Sequence, residues 1–175
     1  MTAAELRTYV RDIRDFPKPG IVFKDITPLL AAGAALQDVV EKIAERYRGS
    51  IDMVLGIESR GFIIGAAVAY RLGLGLALVR KPGKLPHQTY AARYELEYGS
   101  DTLEIHRDAF GNKSRVLIVD DLLATGGTAS AAIELVRRLD GEVTACAFII
   151  ELAFLSGRRR LETPEVFSLI RYDGE

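Results

Sequence analysis

Two adjacent carboxylates followed by a glycine-containing turn form the stretch of this sequence best suited to chemistry. Val116 to Val119 is a short β-branched and aliphatic run, typical of a strand buried on both faces of a parallel sheet. Asp120 and Asp121 follow at the point where such a strand is expected to leave the core. A small-residue turn and an amphipathic helix come next. A strand, a tight loop and a helix N-terminus place free backbone N–H groups around one point, which predicts a phosphate-binding site.

The turn expected to hold the phosphate consists of Ala124, Thr125, Gly126, Gly127 and Thr128. It lacks the Gly-Lys-Ser/Thr of a Walker A loop and the G-x-G-x-x-G of a dinucleotide fold. Because successive residues of a strand point in opposite directions, Asp120 and Asp121 are poorly arranged as an acid/base pair. One is better placed to accept hydrogen bonds from vicinal hydroxyls, while the other orients a cation or a basic side chain. The pattern favours a sugar phosphate over the simpler alternative of an acidic strand end before an ordinary turn.

A second junction of strand, loop and helix carries positive charge. A predicted strand at 52–57 and a predicted helix at 61–72 flank Glu58, Ser59 and Arg60, and the next predicted strand, at 74–79, runs directly into a basic turn. In a parallel sheet such loops open at the same edge, where ligands collect. We therefore expect four cations to converge on a strongly anionic ligand such as pyrophosphate, with solvated loops as the alternative. They are Arg60, Arg80, Lys81 and Lys84.

The segment from His87 to His106 interrupts the alternation of strands and helices. Apolar and charged residues alternate on both sides of a Gly99-Ser100-Asp101 turn, which predicts a β-hairpin inserted between two parallel strands. A hairpin beside a phosphate site is a candidate lid that excludes water, and the alternative is a plain edge hairpin. Neither histidine has a neighbouring Ser, Cys or metal-ligand pattern, so both are interpreted as surface or loop residues.

The rest of the chain supplies the surrounding elements. Residues 3 to about 14 have the spacing of a short amphipathic helix, which the prolines of 16–20 end. An extended apolar stretch then precedes a helix that finishes near Gly49. After the helix that follows the phosphate loop, strands are predicted at 143–150 and 166–170, with Arg158-Arg159-Arg160 as a solvated helix end. This order predicts a doubly wound α/β fold, with a mostly parallel sheet and helices on both faces.

Composition limits the class of protein. With 175 residues, of which 49% are hydrophobic and 27% charged, the chain suits one globular domain over 1–175. A net charge of −1 and a pI near 6.2 give no field that favours nucleic acid or an anionic membrane. The N-terminus lacks a signal-peptide core, which makes the cytoplasm the expected location. The single cysteine, Cys146, lies in an apolar run and is expected to fill the core.

Five segments spread over nearly the whole chain resemble the type I phosphoribosyltransferases, and in particular the branch that uses adenine. They are F-P-K-P-G-I-V-F-K-D-I-T-P-L-L at 16–30, G-I-E-S-R-G-F at 56–62, R-K-P-G-K-L-P at 80–86, L-E-Y-G-S-D-T-L-E-I at 96–105 and V-D-D-L-L-A-T-G-G-T at 119–128. The resemblance implies an N-terminal hood segment at 1–30 and a flexible hairpin flap at 84–108. It also implies transfer of the 5-phosphoribosyl group of 5-phosphoribosyl 1-pyrophosphate (PRPP) to adenine, giving AMP and pyrophosphate, with Mg²⁺, in a cytoplasmic homodimer.

The same resemblance implies a role for each matching residue. The 124–128 turn would hold the 5′-phosphate, and Asp120 and Asp121 the ribose hydroxyls, with Mg²⁺ carried by PRPP and reached from one of these acids through water. The pyrophosphate site would consist of Glu58, Ser59, Arg60, Arg80, Lys81 and Lys84, with a non-proline cis peptide in its first loop and some cations supplied across the dimer. Val22, Phe23 and Lys24 would line the adenine pocket. The implied catalytic residues are Glu97, Tyr98 and Arg60, with Glu97 handling the proton at the attacking nitrogen.

Two other functions fit parts of the pattern. A phosphoribosyltransferase for hypoxanthine, guanine, xanthine or orotate would share the phosphate loop but not the N-terminal pocket segment. A regulator that binds PRPP without turning it over would be expected to carry a nucleic-acid-binding module, and the sequence has no basic face of that kind.

Overall fold

The computed structural model describes residues 1–95 and 100–174, without the side chain of Glu95. In chain order the elements are α1 (Ala3–Arg7), β1 (Arg11–Arg14), β2 (Val22–Asp25), α2 (Thr27–Ala31), α3 (Gly33–Tyr47), β3 (Met53–Ile57), α4 (Arg60–Leu72), β4 (Gly75–Arg80), β5 (Thr89–Glu95), β6 (Ser100–His106), β7 (Arg115–Leu123), α5 (Gly127–Arg138), β8 (Glu142–Leu152) and β9 (Val166–Tyr172). Two short 3-10 turns, Ala153–Leu155 and Gly157–Arg160, lie between β8 and β9. No helix in this part of the chain is long and apolar enough to cross a membrane.

The central sheet has the strand order β5-β6-β4-β3-β7-β8-β9. The pairs β3–β4, β3–β7, β7–β8 and β8–β9 are parallel. The β5–β6 hairpin joins β4 antiparallel at one edge. The carboxyl ends of β3, β4 and β7 therefore meet at one edge of the sheet, as the sequence predicted, and the loops after them are brought together.

Alternation along β7 divides the core into two layers. Leu117 and Val119 pack with α3 and α4 on one face, whereas Val116 and Ile118 pack with α5 on the other. All four side chains are fully buried, and each contributes roughly 1.5–3 kcal/mol of hydrophobic stabilisation relative to exposure. The apolar run that predicted a doubly buried strand thus has a helical layer on each side, which confirms the predicted fold class.

Cys146 belongs to the second of these layers. It lies on β8, is fully buried and packs in the cluster that includes Ile118 and Phe148. Burial raises the pKa of its thiol to about 12, because an apolar environment disfavours the thiolate. The prediction that this cysteine fills the core is confirmed.

The helix predicted from residue 3 to about 14 is wrong beyond Arg7. The helix begins with a capping box, in which Thr2 and Glu5 exchange side-chain and backbone hydrogen bonds. Residues Arg11–Arg14 instead pair antiparallel with Val22–Asp25 as β1 and β2. The helical spacing of apolar residues was misleading because Tyr9 and Val10 pack against the core from irregular backbone, while Ile13 is only partly buried in β1. The β2 backbone supplies hydrogen-bond partners that a local pattern does not reveal.

Two of the three residues predicted to form the hairpin turn belong to a strand. Ser100 and Asp101 are in β6, opposite Glu95 and Tyr94 of β5, so the placement of these two residues in the turn was wrong. The third predicted turn residue, Gly99, lies outside the described residues, as do Leu96, Glu97 and Tyr98. The predicted alternation agrees with the structure, since Tyr94, Leu103 and Ile105 are buried. The function of the hairpin as a lid stays a prediction.

Candidate active site

The two acids of the β7 segment lie inside the strand and not at its end. Leu122 and Leu123 continue the parallel pairing with β8, so β7 ends three and two residues later than Asp120 and Asp121, respectively. The expected exit of the strand at the acids was therefore wrong, because the following leucines have backbone partners in β8. Both residues still line the cavity at this edge of the sheet.

The loop after β7 is held by close backbone packing. Gly126 has a left-handed backbone with φ 82°, and α5 begins at the next residue. A Cβ on Gly126 would lie 2.5 Å from the carbonyl oxygen of Gly157 in the second 3-10 turn. Glycine is therefore required for both conformation and space. The first N–H groups of α5, which have no partners within the helix, lie at the cavity wall.

The start of α4 reaches the same point from β3. Arg60 Nε donates a short hydrogen bond to Asp121 Oδ2, and Asp121 is only 4% exposed. Close packing at the next residue makes this contact possible, since a Cβ on Gly61 would lie 2.7 Å from the Val119 carbonyl oxygen. The ion pair agrees with the expectation that one acid orients a basic side chain.

Asp120, unlike Asp121, is described without an ion-pair partner, and its carboxyl group is harder to ionise than usual. Burial, followed by the negative charge of Asp121, raises the pKa of Asp120 well above its usual value. Its Oδ1 accepts a hydrogen bond from the backbone N–H of Asp121 at 2.9 Å. The two neighbouring acids are thus distinguished by their partners, a cation for one and a backbone amide for the other.

Glu58 organises the loops after β3 and β4. Its carboxylate accepts hydrogen bonds from Arg80 Nη2 at 3.0 Å and from the backbone N–H of Lys81 at 2.9 Å. The hydrogen bond from Arg80 is the main cause that lowers the pKa of Glu58. The peptide between Glu58 and Ser59 is cis, as the resemblance implied. Arg80 also donates to the carbonyl oxygen of Lys84 at 3.2 Å, which shapes the basic turn.

Lys81 connects this turn to the hairpin. Its ammonium group donates to Tyr94 Oη at 3.0 Å and makes a short contact with Asp101 Oδ2. Both partners belong to the β5–β6 hairpin. Lys81, the cation of the basic turn that lines the cavity, is therefore paired with Asp101 of the hairpin.

These segments enclose a cavity of about 300 Å³, within the range of small-molecule sites. Its lining includes Glu58, Ser59, Arg60, Lys81, Tyr94, Leu103, Phe148 and the run 120–129. Most of the predicted phosphate, ribose and pyrophosphate residues are thus brought together. Arg80 and Lys84 stand outside this lining.

The residues predicted to hold adenine lie beside the cavity. The Phe23 ring centre is 5.4 Å from the guanidinium carbon of Arg60, which places β2 next to the charged centre. Lys24 points elsewhere: its ammonium group donates to Asp12 at 2.9 Å and lies 4.6 Å from the centre of the Tyr172 ring. Val22 is partly buried on the same strand. The Lys24 side chain therefore anchors the β1–β2 hairpin, and only its backbone is available to a ligand.

Sequence reasoning missed several residues of the site. Tyr94, Leu103 and Phe148 line the cavity, and Gly157 supports its loop from behind. The alternation in the hairpin indicated that Tyr94 and Leu103 face inward, but not what they face. Phe148 stands opposite Asp120 in the β7–β8 ladder, a register that the sequence does not specify. Glu97 and Tyr98, two of the implied catalytic residues, lie outside the described residues.

Three carboxylates line the cavity, those of Glu58, Asp120 and Asp121. Across residues 1–95 and 100–174 there is no group of three or more His, Cys, Asp or Glu side chains arranged to hold a metal ion. Mg²⁺ is commonly held by one or two carboxylates together with substrate phosphates, and Asp120 with Asp121 fits that requirement.

Comparison with known proteins identifies the family. Residues 24–172 match the phosphoribosyl transferase domain. An adenine phosphoribosyltransferase of Geobacter metallireducens is 57% identical over 169 residues, which cover 96% of this chain and 99% of that protein. The crystal structure of the adenine phosphoribosyltransferase of Thermoanaerobacter pseudethanolicus superimposes with a TM-score of 0.94 at 50% identity and covers 98% of this chain and 100% of that chain.

A third similarity concerns a protein solved with ligands. The adenine phosphoribosyltransferase of Saccharomyces cerevisiae, in complex with adenine and an imino-altritol bisphosphate, has a TM-score of 0.91 at 41% identity and covers 96% of this chain and 98% of that chain. Sequence and fold agree over nearly the full length of the chain. The chain therefore belongs to the phosphoribosyl transferase family, in the branch of the adenine phosphoribosyltransferases.

Proposed function

We propose that the protein transfers the 5-phosphoribosyl group of PRPP to adenine, with AMP and pyrophosphate as products. One observation carries the proposal: a backbone phosphate loop, two acids and two cations line the same cavity at the carboxyl edge of the parallel sheet. The yeast relative, crystallised with adenine and a bisphosphate, supports the choice of base.

The phosphoribosyl group occupies the centre of this arrangement. The 124–128 loop and the start of α5 bind the 5′-phosphate with backbone N–H groups and the positive end of the helix. Asp120 and Asp121 accept hydrogen bonds from the ribose hydroxyls. Asp121 is already paired with Arg60, so a sugar hydroxyl joins a preformed ion pair and does not create a new buried charge.

The leaving pyrophosphate requires cations. Breaking the anomeric C–O bond places positive character on the ribose and negative charge on the pyrophosphate oxygens. Arg60 and Lys81 line the cavity and stabilise the second of these charges, and Arg80 supports them through Glu58. Mg²⁺, bound to the pyrophosphate and reached from Asp120 or Asp121 through water, would supply further neutralisation of the phosphates.

Adenine enters beside the β2 strand. Val22 and Phe23 offer apolar contact, and the backbone of Lys24 is available to the hydrogen-bonding edge of the base. Glu97 and Tyr98 are assigned to closing the site, and Glu97 to handling the proton at the attacking nitrogen, on the basis of the sequence resemblance. Exclusion of water by the hairpin protects the reactive ribose from hydrolysis.

Association of two copies is proposed for the exposed face of α4. Ile63 and Tyr70 lie on the same face of α4, about two helical turns apart, and are 48% and 90% exposed. Leu78 of β4 is 37% exposed. Large exposed apolar side chains of this kind mark association surfaces. Light scattering is expected to give the mass of a dimer, and Tyr70→Glu to shift it towards the monomer. The cytoplasm is the proposed location.

Spectrophotometric turnover tests the proposed reaction. Adenine, hypoxanthine, guanine and xanthine are each supplied with PRPP and Mg²⁺, and nucleotide and pyrophosphate are measured. Adenine alone is expected to react. Reaction of another base in its place would overturn the assignment of the base pocket, and binding of PRPP without any turnover would identify a regulator.

A further inference from the structure

The 3-10 turn behind the phosphate loop packs directly on the loop backbone. The turn spans Gly157–Arg160. A Cβ on Gly157 would lie 2.1 Å from the carbonyl oxygen of Ala124 and 2.8 Å from the amide nitrogen of Gly126. Because no side chain fits between the two segments, the turn cannot move towards the loop without displacing it, and a turn that moves away leaves the loop without its support.

Arg158 ties this turn to the sheet, although it belongs to the exposed helix end that the sequence predicted. Its Nε donates to Glu151 Oε1 at 2.9 Å, and its Nη2 donates to Oε2 at 2.5 Å. Its Nη1 donates to the Val166 carbonyl oxygen at 2.5 Å. The Ser168 hydroxyl donates to Glu151 Oε2 at 2.6 Å. Glu151 is 3% exposed, and a carboxylate at this depth requires such partners.

Glu151 is also next to the strand that leads into the loop. In the β7–β8 ladder it stands opposite Leu123, the last residue before the loop. The residue that carries this buried carboxylate therefore adjoins the incoming strand through its backbone and the turn through Arg158. The side chains of Glu151, Arg158 and Ser168 do not line the cavity.

We propose that Glu151, Arg158 and Ser168 form a positioning cluster that holds the 124–128 loop in the conformation that binds the substrate's 5′-phosphate. The cluster acts through Gly157 and touches neither the phosphate nor the base. The inference rests on the proposed function in identifying the ligand as a phosphoribosyl group. A misplacement of 1 Å in a binding element costs up to about 100-fold in rate, so loss of the cluster is expected to weaken phosphate binding selectively.

The test compares two arginines of similar exposure. Arg158 and Arg115 are 42% and 44% exposed, and each binds one carboxylate through two nitrogens, but Arg115 binds Asp52 at the opposite end of β7. Calorimetry with ribose 5-phosphate is expected to show at least about tenfold weaker binding for Arg158→Gln and unchanged binding for Arg115→Gln. The KM for PRPP should rise in Arg158→Gln while the KM for adenine stays the same.

Two further variants separate positioning from general loss of structure. Arg158→Lys keeps the charge without the two-pronged geometry and should recover part of the affinity. Ser168→Ala removes one hydrogen bond to Glu151 and should weaken ribose 5-phosphate binding with a smaller loss of melting temperature than Arg158→Gln, because the two hydrogen bonds from Arg158 to Glu151 remain. This variant preserves the test if Arg158→Gln does not fold. Unchanged affinity in the folded variants, or an equal loss in Arg115→Gln, would overturn the proposal. Because ribose 5-phosphate binding needs no transfer to a base, the result does not depend on adenine turnover.

Discussion

The two junctions that meet at the cavity hold their positions by different physical means. At the β3–α4 junction the contacts are between charged side chains: Arg60 with Asp121, and Glu58 with Arg80. At the β7–α5 junction the loop from Ala124 to Gly127 has no charged side chain, and glycine backbone packs against glycine backbone. One junction is therefore electrostatic, and the other is steric.

This difference determines how each junction responds to change. A cation can exchange a protein carboxylate for a substrate oxygen, so the first junction is suited to a group that arrives and leaves. A close-packed backbone has one arrangement, which would suit the proposed role of this loop, to hold the 5′-phosphate throughout the reaction. Substitutions of the close-packed glycines at the second junction should be severe, and substitutions of the charged side chains at the first should be graded.

The largest effect is expected from Gly126→Ala. Alanine would be strained at the left-handed φ of 82°, and its Cβ would lie 2.5 Å from the Gly157 carbonyl oxygen. The value of kcat/KM for PRPP should therefore fall at least about 100-fold. Gly49→Ala is the matched control, since Gly49 has φ 75° and no atom within 4 Å of the added carbon. Steady-state kinetics compare the two variants, and equal losses would show that close packing is irrelevant.

Arg60→Gln should have the next largest effect. It leaves the Asp121 carboxylate, 4% exposed, without its cation. Breaking a buried pair costs about 3–5 kcal/mol, and because Arg60 is 39% exposed we expect roughly 1–3 kcal/mol. Urea denaturation measures the loss. The double variant Arg60→Gln, Asp121→Asn should recover much of the stability but not the turnover; no recovery would mean that the lost charge pairing is not the cause.

Asp120→Asn is expected to stabilise the protein at neutral pH while it lowers turnover. The folded state raises the pKa of Asp120, so ionisation costs stability as the pH rises from the unfolded value of about 3.9 through the folded value. The stability gained by Asp120→Asn is therefore complete above the folded pKa and disappears below about pH 3.9. It amounts to about 1.4 kcal/mol for each unit by which the pKa of Asp120 is raised. Denaturation at several pH values measures it.

Asp52 provides the control of opposite sign. Hydrogen bonds from Arg115 lower the pKa of Asp52 to about 2. Its ionised form stabilises the fold above the unfolded pKa, and that stabilisation is lost as the pH falls towards about 2. Asp52→Asn should therefore lower stability at neutral pH, with a difference that shrinks in acid. The same sign for both variants would contradict the assigned environments.

The smallest effect is expected from Glu58→Gln. The Arg80 contact keeps neutral hydrogen bonds, and both partners are partly exposed at 30% and 17%. The KM for PRPP should rise by less than about fivefold, the factor that corresponds to ~1 kcal/mol. A loss as large as that of Gly126→Ala would remove the distinction between the two junctions.

Much of this architecture follows from local sequence signals. The uninterrupted apolar run at 116–119 is compatible with a strand covered on both faces, and the loops after β3, β4 and β7 had to share an edge once the sheet was parallel. The position of the 124–128 loop, the two acids and the cations Arg60 and Lys81 around one cavity was predictable for that reason.

The remaining features depend on partners that are distant in sequence. Arg11–Arg14 forms a strand only because Val22–Asp25 folds back beside it. An Arg-Arg-Arg run does not indicate which member reaches Glu151, and the need for glycine at 157 arises only from its contact with Ala124. Lys24 was expected to line the adenine pocket, and the sequence does not indicate that its side chain lies against Asp12 and Tyr172.

The buried thiol of Cys146 gives the protein an internal reporter of core opening. It is the one cysteine in the sequence and is fully buried on β8 in the layer that contains α5, so a thiol reagent can react only when the packing around it opens. The labelling rate then measures the free energy of opening under native conditions, without denaturant. The labelling rate can be compared among all the variants above. A slower labelling rate in the presence of AMP would measure how strongly a ligand bound between β3 and β7 holds the two layers of the core together.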